Sequence, residues 1–512
     1  MSRSGTPGRG EPDDAAAADP TLDRKFFGHP RGLAVLFGTE MWERFSFYGL
    51  QGILVLYLTA SIAQNGLGMD ETVAVPIASI YTGMVYLTAL PGGWLADRVF
   101  GNRKAVLIGA VIIMLGHISM AVPVDGPAFV FTGLALVICG TGLLKPNISV
   151  LVGHQYHEDD DARRDAGFSL FYIGINLGAF LGLLVTPFLA GEDRWHLGFS
   201  AAAVGMAIGI AFYMWGWKRV SGPGDRPSRP LEPAERTRAI QWTAGGLLAA
   251  AVAVAVWIWS GTFNPVTVPQ VITYLGIVLV VGYFAYIFRQ KDQMTESEHT
   301  GMKVYVGLFI AAVVFFMLFQ QIGSVLTVFA ENAVDLSVFG MGIPAGATQN
   351  FNTFYIIIFG GVAAALWVKL GDRFNAAKKF TLALVLIAVA FVLLGWLQAA
   401  ADDGAVIGLA WLALVYLFIT WGELSLSPVG LSVTSALAPK KLRGQMMGVW
   451  FLAPAVGTPI GGQAYAALQP RIGDSGFFFV MAACAAITGA VLLVFVPKLG
   501  RLLASVGHGA KS

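Results

Sequence analysis

The sequence predicts an all-α membrane protein in which two six-helix bundles flank an inserted pair of helices. Three observations carry this. The 512 residues are 56% hydrophobic and 12% charged, with a mean hydropathy of +0.67, against about 25% charged in soluble proteins. Fourteen apolar stretches approach the roughly 20 residues that span a bilayer. One Pro-rich, charged stretch, Lys218 to Arg238, follows the sixth of them.

The spans lie near 32–60, 74–97, 104–122, 127–152, 165–190, 196–217, 239–260, 269–289, 303–330, 350–371, 379–400, 405–436, 443–468 and 475–498. This divides the chain into a polar, disordered tail (1–26), a first bundle (27–219), a linker with the inserted pair (220–302), a second bundle (303–500) and a tail (501–512). The inserted pair carries no charge in its apolar parts and reads as lipid-facing. Basic residues set the orientation. Loops after odd-numbered spans hold almost none, Arg194 and Arg471 excepted. The opposite loops hold Arg98, Arg103, Lys104, Arg163, Arg164, Lys218, Arg219, Arg289, Lys291, Lys369, Arg373, Lys378, Lys379, Lys440, Lys441 and Arg443. That side and both termini are expected to be cytoplasmic, in a multi-pass protein of the cell membrane. The first tail lacks a signal-peptide pattern. The net charge of +2 is spread over short loops and implies no nucleic-acid partner. Cys139 and Cys484, both within apolar spans, read as buried small side chains rather than a disulfide.

Five full charges lie deep in spans: Glu40, Glu43 and Arg44 in the first, Lys145 in the fourth, and Glu423 in the tenth of the twelve bundle helices. A charge at mid-bilayer costs about 2.5–3.5 kcal/mol on insertion scales, so each must face a polar cavity or another helix. Glu40, Glu43, Arg44, Phe47, Tyr48 and Gln51 share one helical face. A site between the bundles near the midplane would collect all five charges. Two positive and three negative charges leave one carboxylate in excess, which a proton would satisfy. Arg44 and Lys145 can hold a carboxylate and Glu423 an ammonium, the two ends of a peptide. The competing reading is a static ion-pair network, which needs no excess carboxylate.

GWLADRVFGNRK, Gly93 to Lys104, resembles the loop of the major facilitator superfamily, one residue longer than usual. There Asp97, Arg98, Arg103 and Lys104 can form a switchable charge cluster. LWVKLGDRFNAAKK, from Leu366, is a weaker echo in the second half. EMWERFSFYG (Glu40–Gly49) resembles E-x-x-E-R-F-x-Y-Y-G, with only Phe47 departing by one hydroxyl. GTGLLKPNISVLVG (Gly140–Gly153), FYIGINLGAF (Phe171–Phe180) and GELSLSPVGLSVTSALAP (Gly422–Pro439) follow in order, with MMGVWFL after them. Together these strings resemble the proton-dependent oligopeptide transporter family, bacterial type, over about residues 27–500. The resemblance implies the major facilitator fold and a symporter that takes up di- and tripeptides by alternating access, driven by protons. It implies proton coupling by Glu40, Glu43, Arg44, Lys145 and Glu423. It places Arg44 and Lys145 near the peptide carboxylate, and Glu423, Asn176 and Asn352 near its amino end. Tyr48, Tyr86, Tyr172, Gln320, Ser427 and Trp450 complete the implied substrate site, although Tyr86 and Trp450 also read as packing aromatics. Small peptides, protons and the bilayer are the implied partners.

Two departures concern the gate. Gln51 stands where many members have Arg, and Gln320 where they have Glu, two charges expected to face each other across the extracellular side of the cavity. Losing both avoids an orphan buried charge and implies a neutral, hydrogen-bonded gate, leaving coupling to Glu40, Glu43 and Glu423. His117, deep in the third span, reads as a hydrogen-bonded packing residue. HEDDDARRD, from His157, reads as a solvated loop. No metal-ligand spacing or nucleophile triad occurs, and GTGLL and KPNIS lack P-loop order, so neither an enzyme, a metal nor a cofactor beyond the coupling proton is expected. A proton-driven exporter of drugs or peptide-like compounds, and a peptide-binding sensor, are the alternative functions.

Overall fold

The computed structural model describes residues 23–124, 126–157, 159–220, 222–290, 294–338, 340–439 and 443–509. Residues 1–22 and 510–512 of the expected tails, and Lys291, Lys440 and Lys441 of the basic loops, lie outside the described residues. The first bundle comprises α1 (Arg31–Thr59), α2 (Glu71–Leu87) continued by α3 (Ala89–Leu95), α4 (Asn102–Ala121), α5 (Ala128–Gly153), α6 (Asp161–Ala190) and α7 (Trp195–Trp215). The inserted helices are α8 (Pro233–Trp259) and α9 (Thr267–Arg289). The second bundle holds α10 (Glu296–Phe319), the short α11 (Val325–Ala333), α12 (Asn350–Leu370), α13 (Ala376–Asp402), α14 (Leu409–Leu437) and α15 (Arg443–Gly509). Gly473, at φ 69°, breaks α15 into two helices. Two-residue strands make two minor sheets: Val334–Asp335 runs parallel to Ile407–Gly408, and Ser337–Val338 antiparallel to Met341–Gly342.

The all-helical membrane class is borne out. Among the described residues eleven helices are long and apolar enough to cross a membrane, the last covering both limbs of α15. α1 is not one of them, because a polar stripe runs through its middle. The bundles meet chiefly where α2 packs on α15 and α6 on α12. α9 docks on α10 through Phe284, whose ring centroid lies 4.9 Å from that of Phe309. Apolar outward surfaces such as Leu248, Val281 and Val494 suit lipid.

Several expectations are corrected. The span expected at 303–330 is broken: α10 ends at Phe319 and a 3-10 turn, Gln320–Gly323, precedes α11. Cys139 is exposed and Cys484 half-buried, so they are not buried small hydrophobes, and both are free. His117 is buried, but neither ring nitrogen has a hydrogen-bond partner. HEDDDARRD is not all loop: Asp161 opens α6, and Arg164 pairs with Asp161 at 2.6 Å.

The charges of the GWLADRVFGNRK loop face the segment after α7. Asp97 accepts from Ser228 (3.2 Å), Arg98 lies 3.5 Å from Glu235, and Arg103 pairs with Asp225 at 2.5 Å while stacking on Trp217. Arg103 is buried, so losing its partner leaves a charge with poor solvation. Asp225→Asn is therefore expected to loosen this segment, read as faster tryptic cleavage after Arg219 and Arg236; an unchanged rate contradicts the contact's importance.

Candidate functional site

Between the bundles lies a cavity of about 280 Å³, near the small end of the roughly 300–1,000 Å³ usual for ligand sites. Its walls include Tyr48, Gln51, Tyr86, Lys145, Tyr172 and Asn176 from the first bundle, and Gln320, Asn352, Glu423, Ser427 and Trp450 from the second. Among the described residues Lys145 is the single lining cation and Glu423 the single lining anion.

Two prolines shape the helices that carry these charges. Proline donates no backbone N–H, so it frees the carbonyl four residues earlier and bends the helix. In α5 Pro146 follows Lys145 and frees the Gly142 carbonyl. α3 approaches that carbonyl so closely that a Cβ on Gly92 would lie 1.9 Å from it. Asn147 then ties the bend down, donating to Leu143 O (2.6 Å) and accepting from Asn102 (2.9 Å). In α14 Pro428 frees the Leu424 carbonyl, which accepts from the Trp367 indole of α12 at 3.3 Å. Gly430 in the same helix leaves room for the indole of Trp450, since a Cβ there would stand 1.9 Å from Cη2.

Lys145 Nζ lies 4.2 Å from the centroid of the Tyr86 ring, a cation–π contact. Glu423 Oε2 accepts from Asn352 Nδ2 at 3.1 Å, and Asn352 also donates to Thr420 Oγ1 at 3.0 Å. Thus Asn352 joins Glu423 across α12 and α14. Arg44 does not line the cavity. It is 3% exposed and turned toward its own helix: Nε donates to Glu43 Oε2 and lies 3.2 Å from Glu40 Oε1. Its guanidinium sits 5.0 Å over the Phe47 ring, and Phe47 itself lines the cavity. Arg44 Nη2, Glu40 Oε2 and Glu43 Oε1 have no partners, so this buried cluster is incompletely satisfied.

The two expected gate amides do not bond each other. Gln51 Nε2 donates to Gln349 Oε1 (3.2 Å), and Gln349 Nε2 to Thr327 Oγ1 (3.0 Å). Gln320 donates instead to the Tyr86 hydroxyl at 3.4 Å. The Gln51–Gln349 bond crosses between bundles, so Gln51 has a neutral hydrogen-bond partner in the second bundle that is not Gln320. Residue patterns did not reveal Gln349, because a 3-10 turn carries it just outside α12. Away from the basic loops the bundles close further. Asn332 donates to Glu71 Oε1 at 3.0 Å, and the Tyr465 hydroxyl lies 2.9 Å from Glu71 Oε2 and 2.7 Å from Asp474. The cavity is thus sealed at that end, while Tyr172, 52% exposed, stays open to solvent. Among the described residues no group of His, Cys, Asp and Glu could hold a metal.

Comparison with known proteins places this site in a family. The POT family model matches residues 103–471. The chain is 39% identical to an uncharacterized transporter of Bacillus subtilis, over 94% of this chain and 96% of that one. It is 35% identical to a di-/tripeptide transporter of Lactococcus lactis, over 94% and 98%. A crystal structure of the peptide transporter POT in complex with sulfate superposes with a TM-score of 0.90 at 40% identity, covering 96% of this chain and 99% of that one. The matches to the two relatives and to the crystal structure run nearly end to end and include both bundles. The chain belongs to the proton-dependent oligopeptide transporter (POT) family, with its major facilitator fold.

Proposed function

We propose that the chain is a proton-coupled symporter that takes up di- and tripeptides across the cell membrane by alternating access, with the basic loops and both termini cytoplasmic. The observation that carries this is a closed-ended cavity with one lysine on the first bundle and one carboxylate on the second. A zwitterion bridging Lys145 and Glu423 would draw the bundles together, and that is the motion transport requires. The Lactococcus relative, a di-/tripeptide transporter, supports the substrate class.

In this reading Lys145 takes the peptide carboxylate, with Arg44 in reserve behind Phe47. Glu423, with Asn352 and Asn176, takes the ammonium. Tyr48, Tyr172, Ser427 and Trp450 shape the side-chain space, and Gln51 and Gln320 serve the outer gate. Glu40, Glu43 and Glu423 exchange the proton. No cofactor and no catalytic step enter the cycle. An inward proton gains roughly 2.3 kcal/mol per 100 mV, enough to concentrate a neutral peptide.

The test is dialanine uptake in proteoliposomes with pH and voltage imposed separately. Accumulation down an inward proton gradient supports the reading; exclusion of peptide would favour export and overturn it. Glu423→Gln is expected to weaken binding of free dipeptides by roughly tenfold or more, the worth of a charge-assisted hydrogen bond, and to leave N-acetylated peptides nearly unchanged. Equal losses would contradict the ammonium role.

A further inference from the structure

We propose that Tyr81 is a positioning residue for proton coupling: its buried hydroxyl holds the Glu43 carboxylate when Arg44 is drawn toward a substrate. This rests on the transport reading above. Glu43 shares one arginine with Glu40, and only its Oε2 is engaged; Oε1 has no partner. If Arg44 leaves, Oε2 loses its donor and neither oxygen of this fully buried carboxylate is satisfied. Ser46 cannot replace it, because its hydroxyl donates to the Glu43 backbone carbonyl at 2.8 Å.

Tyr81 of α2 meets the requirement. It is 1% exposed and its hydroxyl has no partner among the described residues, an unusual state for a buried polar group. It interacts electrostatically with both Glu43 and Arg44. Its ring stacks on Phe47, centroids 6.0 Å apart and planes 27° apart, and Phe47 is the ring under the Arg44 guanidinium. Two unsatisfied partners, a donor on α2 and an acceptor on α1, thus flank the residue whose movement would bring them together. The other charged groups around the cluster are Glu40 on α1 and Lys145 on α5. α15 faces this turn of α2 with Ala455 and Pro459, neither of them charged.

Because the two rings stack, the hydroxyl can be moved from one to the other. Tyr81→Phe is expected to lower gradient-driven dialanine uptake about tenfold, the worth of one hydrogen bond to a charged group, while counterflow of labelled dialanine without a gradient stays within about twofold. Phe47→Tyr on the Tyr81→Phe background is expected to restore gradient-driven uptake. Unchanged uptake in Tyr81→Phe overturns the proposal. So does equal loss of uptake and counterflow without restoration, which would mark Tyr81 as packing only. Absence of proton-driven uptake in the unmodified protein would instead refute the symporter reading, so the two failures are distinguishable.

Discussion

Lys145→Ala is expected to bring proton-driven dipeptide uptake down to the level of empty liposomes, and to weaken binding of a free-acid dipeptide by roughly 10- to 100-fold. The size follows from the geometry. Among the described residues Lys145 is the single cation on the cavity wall. No carboxylate lies within salt-bridge distance of it among the described residues; its neighbour is the face of Tyr86 at 4.2 Å. A ring face holds an ammonium in place and leaves its N–H donors available to an incoming anion. A hydrogen bond to a charged group is worth about 1.5–3 kcal/mol, and each 1.4 kcal/mol is about tenfold in affinity. Arg44 cannot substitute without movement, since it points into the Glu40–Glu43 pair behind Phe47. The discriminating ligand is a dipeptide amide, which has no carboxylate to lose. Binding of the amide should be nearly unchanged by Lys145→Ala. If amide and acid weaken equally, Lys145 does not read the carboxylate and the site must be reassigned.

Much of this site is legible in the residues because charge in a bilayer is expensive. Lys145 and Glu423 stand out in apolar runs for that reason, and each sits close to a proline that bends its helix. The polar face of α1 was visible from helical spacing alone. What spacing could not reveal is which way a charge points. Arg44 belongs to the same stripe as Phe47, Tyr48 and Gln51, yet those three reach the cavity and Arg44 does not. Amides and phenols are also cheaper to place in spans than full charges, so Gln349, Tyr81 and Tyr465 carried no signal, and the cross-bundle partners of Gln349 and Tyr465, Gln51 and Glu71, are distant in sequence. Periodicity likewise hid the break at Gln320, since Phe-Gln-Gln-Ile-Gly continues an apolar run while the backbone leaves the α-helix. Gln51 illustrates the consequence: the residue types predicted a neutral hydrogen bond, and only the fold chose Gln349 over Gln320 as its partner.

Gly346→Ala is expected to reduce proton-driven uptake by at least about tenfold, and Gly52→Ala to leave it within about threefold, although the two glycines face each other. The asymmetry lies in what each new methyl would meet. At Gly346 a Cβ would stand 1.9 Å from the Gly52 carbonyl oxygen and 2.8 Å from its carbon. These are backbone atoms of α1 and cannot rotate away, so the two bundles must part. At Gly52 a Cβ would meet side-chain atoms, Leu183 Cδ2 and Pro187 Cγ, both at 3.1 Å, and would lie 3.7 Å from the Gly346 carbonyl. Those atoms can yield by a few tenths of an ångström. Overpacking a tight contact costs about 1–3 kcal/mol, which shifts an equilibrium between sealed and open outer ends by roughly 5- to 150-fold. The seal is otherwise made of neutral or singly charged hydrogen bonds, Gln51 to Gln349 and Glu71 to Asn332 and Tyr465, so little else compensates. A cysteine at Leu183, on the cavity wall beneath the contact and buried here, reports the outcome once Cys139 and Cys484 are replaced by Ser. With Gly346→Ala a membrane-impermeant maleimide added outside should label it several-fold faster, and with Gly52→Ala it should not. Equal labelling in the two variants would mean that the backbone contact between Gly52 and Gly346 does not close the outer end.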